Sequence, residues 1–206
     1  MSRVFGIASL GLILCLLTQP VLAGETADVS DALVAFNQHN YSKSLKLVRP
    51  LADHNSGAQF LLGAMYLRGW GVPKNAPEAA KWYKLSATQG HPMAQVELGL
   101  IYLNGNSLPQ DYDQALKFFQ LAANQDYAQA QYNLGAMYFQ GQGVPQDFVR
   151  AHMWVNLACS NYLPAEADLR NESVKFRDEI SVLMPSAQLA EAQKMASEWV
   201  TAHPHQ

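Results

Sequence analysis

The residues in this chain whose types could do chemistry are six histidines, a cysteine at position 159 and two Gly-x-Gly loops. His39, His54, His91, His152, His203 and His205 show no H-E-x-x-H pattern and no clustered spacing, so no metal site for activating water is encoded in them. Cys159 follows His152 by seven residues and could be imagined as a nucleophile with its base. It falls, however, at the position held by Ala87 and Ala123 in two earlier copies of the same segment, which predicts an inert core thiol. The Gly69-x-Gly71 and Gly141-x-Gly143 loops lack the lysine and the preceding strand of a phosphate cradle, and act as helix punctuation. No activated serine with a lysine partner is found. The expectation is therefore no catalytic residue, no metal and no cofactor, and the chain reads as a non-enzyme.

What would position any functional side chain is a segment that the chain repeats three times, at 57–90, 93–126 and 129–162. Matched positions fall 36 residues apart without slippage: Ala58, Ala94 and Ala130; Gly63, Gly99 and Gly135; Tyr66, Tyr102 and Tyr138; Gly69, Gly105 and Gly141; Pro73, Pro109 and Pro145; Trp82, Phe118 and Trp154; Leu85, Leu121 and Leu157. A fixed period of this size marks stacked units, each burying its apolar face only against its neighbours. Within each unit the apolar rhythm is that of two helices, A and B. Glycine followed by proline closes helix A, and Asn75, Asp111 and Asp147 stand where helix B needs a cap. Glycine inside helix A costs about 1 kcal/mol relative to alanine, so its recurrence implies a compensating close approach of helix B. Ala79, Ala115 and Ala151 are the expected partners of that approach, and Trp82, Phe118 and Trp154 the expected filling between successive units.

The pattern Ala-x-x-x-Leu-Gly-x-x-Tyr-x-x-Gly-x-Gly-Val-Pro, then Ala-x-x-Trp-Tyr-x-Leu-Ser-Ala-x-x-Gly, runs from Ala58 to Gly90 and resembles the Sel-1-like repeat, a relative of the tetratricopeptide repeat. The resemblance implies an all-α solenoid of stacked antiparallel helix pairs, with units at 57–92, 93–128 and 129–162. A degenerate helix pair at 30–56 is expected to cap the N-terminal end, with Pro50 kinking its second helix. Helices within 163–200 are expected to cap the other end, with Leu169, Val174, Phe176, Ile180 and Leu183 facing inward. The second loop departs from the pattern by losing a glycine at Ser107, and Asp126 and Tyr162 replace the exit glycine seen at Gly90.

Ahead of the repeats, Arg3 precedes an apolar run from Val4 to Leu17, and Val21-Leu22-Ala23 has the small-residue pattern of a signal-peptidase site. Cleavage after Ala23 is expected, with a periplasmic or secreted mature protein and no stable membrane insertion. Residues 24–29 read as a flexible lead-in. Losing Arg3 shifts the formal charge from −3 to −4. A mildly acidic chain without basic runs is a poor match for nucleic acid or anionic membranes. Cys159 would then be the remaining thiol, so stability must come from packing rather than from an internal disulfide.

The resemblance further implies that the A helices line a concave face that binds protein or peptide. Candidate groove residues are Phe60, Leu67 and Arg68, then Val96, Leu100, Leu103 and Asn104, then Tyr132, Phe139 and Gln140. They form two apolar stripes, Phe60-Val96-Tyr132 and Leu67-Leu103-Phe139, with a polar margin suited to a helix or extended segment. The leading function is a scaffold or regulator in the bacterial envelope that engages a partner protein as a monomer. A binder of cell-wall glycan or peptide is the alternative. A β-lactam hydrolase is the third, and the cysteine pair carried in each repeat by the relatives so described is absent here.

Overall fold

The structure, a computed structural model, describes residues 27–203. The expected signal sequence, the start of the lead-in at 24–26 and His205 lie outside the described residues. Ten α-helices follow one another among them: α1 (Ala27–Asn37), α2 (Tyr41–Val48), α3 (Ser56–Arg68), α4 (Ala76–Thr88), α5 (Pro92–Asn104), α6 (Tyr112–Ala123), α7 (Ala128–Gln140), α8 (Phe148–Asn161), α9 (Ala167–Val182) and α10 (Ser186–Ala202). The pairs α3/α4, α5/α6 and α7/α8 are the three repeats, and each B helix also packs on the next A helix. The result is an all-α stack with the N-terminal pair α1/α2 at one end and α9/α10 at the other. Residues 27–29, read from sequence as lead-in, already belong to α1, and Val29 is buried. Pro50 does end α2, as the second residue of a 3₁₀ turn at Arg49–Leu51.

Loop chemistry fixes where each helix stops and where the next begins. Gly69, Gly105 and Gly141 adopt the left-handed conformation, and the backbone N–H of each bonds to the carbonyl of Met65, Ile101 or Met137. Asn75, Asp111 and Asp147 then accept from the backbone N–H three residues on, while their own N–H groups bond to the carbonyls of Tyr66, Tyr102 and Tyr138. Each cap residue is thus tied to both helices of its repeat. Asp126 replaces the exit glycine by taking φ +58 itself, whereas Tyr162 leaves helix α8 in an extended conformation.

The helices of a pair meet at the interior glycine, where the nearest atoms belong to the side chain one turn beyond the alanine expected from sequence, joined at Gly135 by the backbone of Ala151 itself. A Cβ on Gly63 would sit 2.7 Å from ring carbons of Tyr83, and one on Gly99 would sit 2.6 Å from Phe119. At Gly135 it would sit 2.6 Å from Val155 and 3.0 Å from the Ala151 carbonyl oxygen. Tyr83, Phe119 and Val155 lie one helical turn beyond Ala79, Ala115 and Ala151. The small alanine lets the helices approach, and the large side chain one turn on lies over the glycine.

A second period-36 device is polar and was not recognised in the sequence. Gln59, Gln95 and Gln131 are buried on the A helices. Their amide nitrogens donate to the carbonyls of Ala52, Ala87 and Ala123, at the end of the element before. Their amide oxygens accept from Gln89, Gln125 and Asn161, at the end of their own B helix. One side chain thereby joins three consecutive elements, and the Ala87 and Ala123 carbonyls it meets also accept the backbone N–H groups of Gly90 and Asp126.

The C-terminal cap packs asymmetrically. Phe176 and Ile180 of α9 enter the core formed by Tyr132, Val155 and Cys159, but Leu183 is 54% exposed because the helix has ended by then. Helix α10 turns back over α8, bringing Ala196 against Trp154 and Leu157 and setting Trp199 edge-on to Trp154 at 4.7 Å. Leu85 and Leu121, equivalent to the covered Leu157, remain 48% and 41% exposed.

The glycine contact sets a test. Gly99→Ala gains helix propensity but drives a methyl into Phe119, and the expected net effect is a loss of about 1–2 kcal/mol in urea unfolding. Alanine at a helix position with open space, such as Ser197 on α10, is expected to leave the midpoint unchanged or slightly raised.

Candidate binding groove

Helix geometry defines the groove from the glycine outward. Gly63, Gly99 and Gly135 face the B helix, so the residue two positions earlier, 200° around the helix, faces away from it. These residues are Leu61, Glu97 and Asn133. Flanking them are Ala64, Leu100 and Ala136, all partly exposed, and then Arg68, Asn104 and Gln140, all exposed at the helix ends. Leu61 is fully buried in the core shared with Val29, Ala32 and Phe36 of α1, so the N-terminal pair closes the groove at that end. Along this line Leu61 is 0% and Glu97 7% exposed, and Asn133 is partly exposed.

The sequence-predicted residues divide by burial. Arg68, Asn104 and Gln140 form an exposed row, one per repeat, and Leu100 is partly exposed beside them. Leu67, Leu103 and Phe139 are half-buried in the seams between repeats, with Phe139 packed between Phe148 and Phe176. The stripe Phe60-Val96-Tyr132 is a correction: all three are core residues, between 0% and 3% exposed. Phe60 stacks on His91 at 4.9 Å and leans on Tyr83, while Tyr132 meets Phe176 of the cap. Choosing the stripe by apolar content rotated the assigned face by one residue, about 100°, toward the next repeat. Glu97 and Asn133 were missed for the same reason, although counting two back from each interior glycine finds them.

Electrostatics mark the first junction. Glu97 is only 7% exposed, and burial pushes its carboxyl up to about 7, with the Arg68 guanidinium acting in the opposite direction. Burial and the neighbouring Glu97 hold the Tyr83 phenol well above its usual value. On the same helix as Glu97, burial pulls His91 down to about 4. Its Nδ1 accepts from the Ala94 backbone N–H as the cap of α5, a role that needs the neutral ring. At the far end, burial raises the Cys159 thiol and lowers His152, and no hydrogen bond joins the two. This is the reverse of an activated thiolate and its base. Among the described residues no group of three or more His, Cys, Asp or Glu could hold a metal, and no helix is long and apolar enough to cross a membrane.

The Sel1 repeat family profile matches residues 56–91, 92–127 and 128–162. Among solved structures, the chain is similar to a Sel1 repeat protein from Oxalobacter formigenes, at 29% identity over 67% of this chain with a TM-score of 0.63. It is also similar to a protective antigen present in uropathogenic Escherichia coli strains displaying an SLR fold, at 28% identity over 79% of this chain with a TM-score of 0.66. The chain spans 55% of the first protein and 32% of the second. No curated protein matches it.

Two buried groups with opposed shifts predict a pH signature. Glu97 has a folded-state value above its unfolded value of 4.5, so its ionisation costs stability as pH rises from about 4.5 to 7. His91 has a folded-state value below 6.5, so stability is lost as pH falls from about 6.5 to 4. The two slopes oppose each other. In Glu97→Gln the first disappears, and the stability gained over wild type is expected to grow between pH 4.5 and 7, reaching on the order of 2–3 kcal/mol. Urea midpoints measured across that range check the sign.

Proposed function

We propose that this chain, which belongs to the Sel1 repeat family, is a non-catalytic scaffold that binds a partner protein or peptide along the face of its A helices. Sel1 repeats generally mediate protein–protein interaction, and the family is typically a repeat scaffold rather than a catalyst. The observation that carries the reading is the exposed row Arg68, Asn104 and Gln140, which repeats at the spacing of the stack beside the partly exposed Ala64, Leu100 and Ala136. Side chains recurring once per repeat offer regularly spaced polar contacts to an elongated ligand, which is how a solenoid turns its period into a recognition surface. The nearby half-buried Leu67, Leu103 and Phe139 make the groove walls apolar without forming a loose hydrophobic patch.

The signal-like residues 1–23 support a place in the bacterial envelope, periplasmic or secreted, and the absence of basic runs favours protein over nucleic acid. The buried Cys159 and His152 favour a binding role over hydrolysis, because a nucleophile has to reach its substrate.

Affinity capture from native envelope extract tests the reading. The full chain is compared with an Asn104→Arg, Gln140→Arg double variant, in which both changes are exposed at helix C-termini where arginine is compatible with the helix dipole. A partner held by wild type and lost at least tenfold by the equally helical variant is the expected result. Equal capture by both would place the binding surface elsewhere.

A further inference from the structure

Helix α10 is tied to the stack through a single face. Its main support is α8, which it meets with one stripe of side chains: Ala192 and Ala196 are buried, and Leu189, Met195 and Trp199 are half-buried. Trp199 stands edge-on to Trp154 and stacks on His203 at 3.9 Å, so residues 186–203 dock as one unit. Helix α9, which precedes it in the chain, is anchored by Phe176 and Ile180 in the core around Tyr132 and Val155.

Three residues, Leu183 to Pro185, join the two helices. The reversal comes at the end of that link. The N–H groups of Leu183 and Met184 still donate back to the carbonyls of Ile180 and Ser181, and Pro185 then leaves at ψ 151. Met184 stands before a proline and Pro185 has a fixed φ, so both residues favour extended backbone over helix. Opening this hinge straightens a turn and breaks no helix. Beside the turn, Val182 and Leu183 are 86% and 54% exposed, the two most exposed large apolar side chains among the described residues. Apolar residues scattered singly over a surface are ordinary, but two in succession at a hinge have nothing to pack on in the closed chain.

We propose that α10 exchanges between two copies of this chain, each α10 docking on α8 of the other copy, with Val182 and Leu183 of the two hinges packed together where the chains cross. The α8–α10 contact is the same within one chain as between two, so exchange retains its packing, and burial of the hinge residues offsets the entropy lost on association. A short hinge that favours extended backbone lowers the cost of opening. The dimer replaces the monomer expected from sequence. Since α10 rests on a B helix, exchange leaves the row Arg68, Asn104 and Gln140 uncovered, and the dimer carries two such rows, which strengthens binding to a repeated partner without any new contact. The exchange itself does not rest on the groove reading.

The test uses the full chain, refolded at micromolar to millimolar concentration and sized by chromatography with light scattering. A diazirine amino acid at Met195 reports what α10 touches. Expected is a dimer whose fraction grows with concentration, with crosslinks from position 195 that join two chains in the dimer peak and stay within one chain in the monomer peak. A Val182→Lys, Leu183→Lys double variant puts two exposed cations at a helix C-terminus, where they suit the dipole, and is expected to raise the dimer dissociation constant at least tenfold at unchanged helicity. A monomer at every concentration would overturn the proposal. So would a dimer whose crosslinks stay within one chain, or one that the lysine pair leaves intact.

Discussion

Everything in this stack depends on how closely helix A approaches helix B at the interior glycine of each repeat. A methyl group at Gly63, Gly99 or Gly135 would come within 2.7 Å of a side chain on the facing helix, a distance that packed atoms do not occupy. The glycine gives up about 1 kcal/mol of helix propensity, and the burial of Tyr83, Phe119 or Val155 more than offsets it, since a fully buried side chain of this size contributes roughly 1.5–3 kcal/mol. The close approach also fixes rotation. With the glycine turned inward, the glutamine four residues before it is turned toward the end of its own B helix and the end of the element before. The buried Gln59, Gln95 and Gln131 then lock the register of one repeat on the last through paired donors and acceptors. Apolar packing supplies most of the stabilisation, and the glutamines specify which packing is adopted.

The ends of the stack solve a different problem. Each internal repeat buries two faces, and a terminal one has a face left over. At the N-terminus α1 and α2 cover Leu61 with Val29, Ala32 and Phe36. At the C-terminus α9 takes the place of a further A helix, while α10 folds back over α8 instead of pairing as a B helix would. With Leu61 covered, the partly exposed residues on this side of the A helices include Leu100 and Asn133 of the second and third repeats.

Much of this was legible in the sequence because period 36 is written in residues with strict backbone roles. Gly69, Gly105 and Gly141 need the left-handed region, and Asn75, Asp111 and Asp147 need to accept a backbone N–H, so their spacing fixes loops and helix starts directly. Rotation about the helix axis was harder to read. Apolar residues surround the A helices on nearly every side because those helices are buried on nearly every side, so counting hydrophobic residues could not tell Phe60, which stacks on His91 in the core, from a residue lining a groove. The glycine carried the missing phase, since only one side of the helix requires the absence of a side chain. Gln95 and Glu97 illustrate a second obstacle. Each is polar in sequence and buried in the fold, and nothing in composition separates a glutamine that bridges three elements from one that faces water.

The groove reading joins family membership to geometry. Sel1 repeats mediate protein interaction, and in this chain the residues recurring once per repeat on the exposed edge of the A helices are polar, accessible and uninvolved in packing. The opposite, B-helix face offers the exposed Leu85 and Leu121, which makes it the natural competitor. Photo-crosslinking separates the two faces most directly. A benzophenone amino acid is placed at Asn104 or at Leu121 in the full chain, irradiated in envelope extract, and the adducts are resolved by mass. The account predicts a discrete protein adduct from position 104 and none from position 121. An adduct from 121 alone would contradict it and move recognition to the outer face.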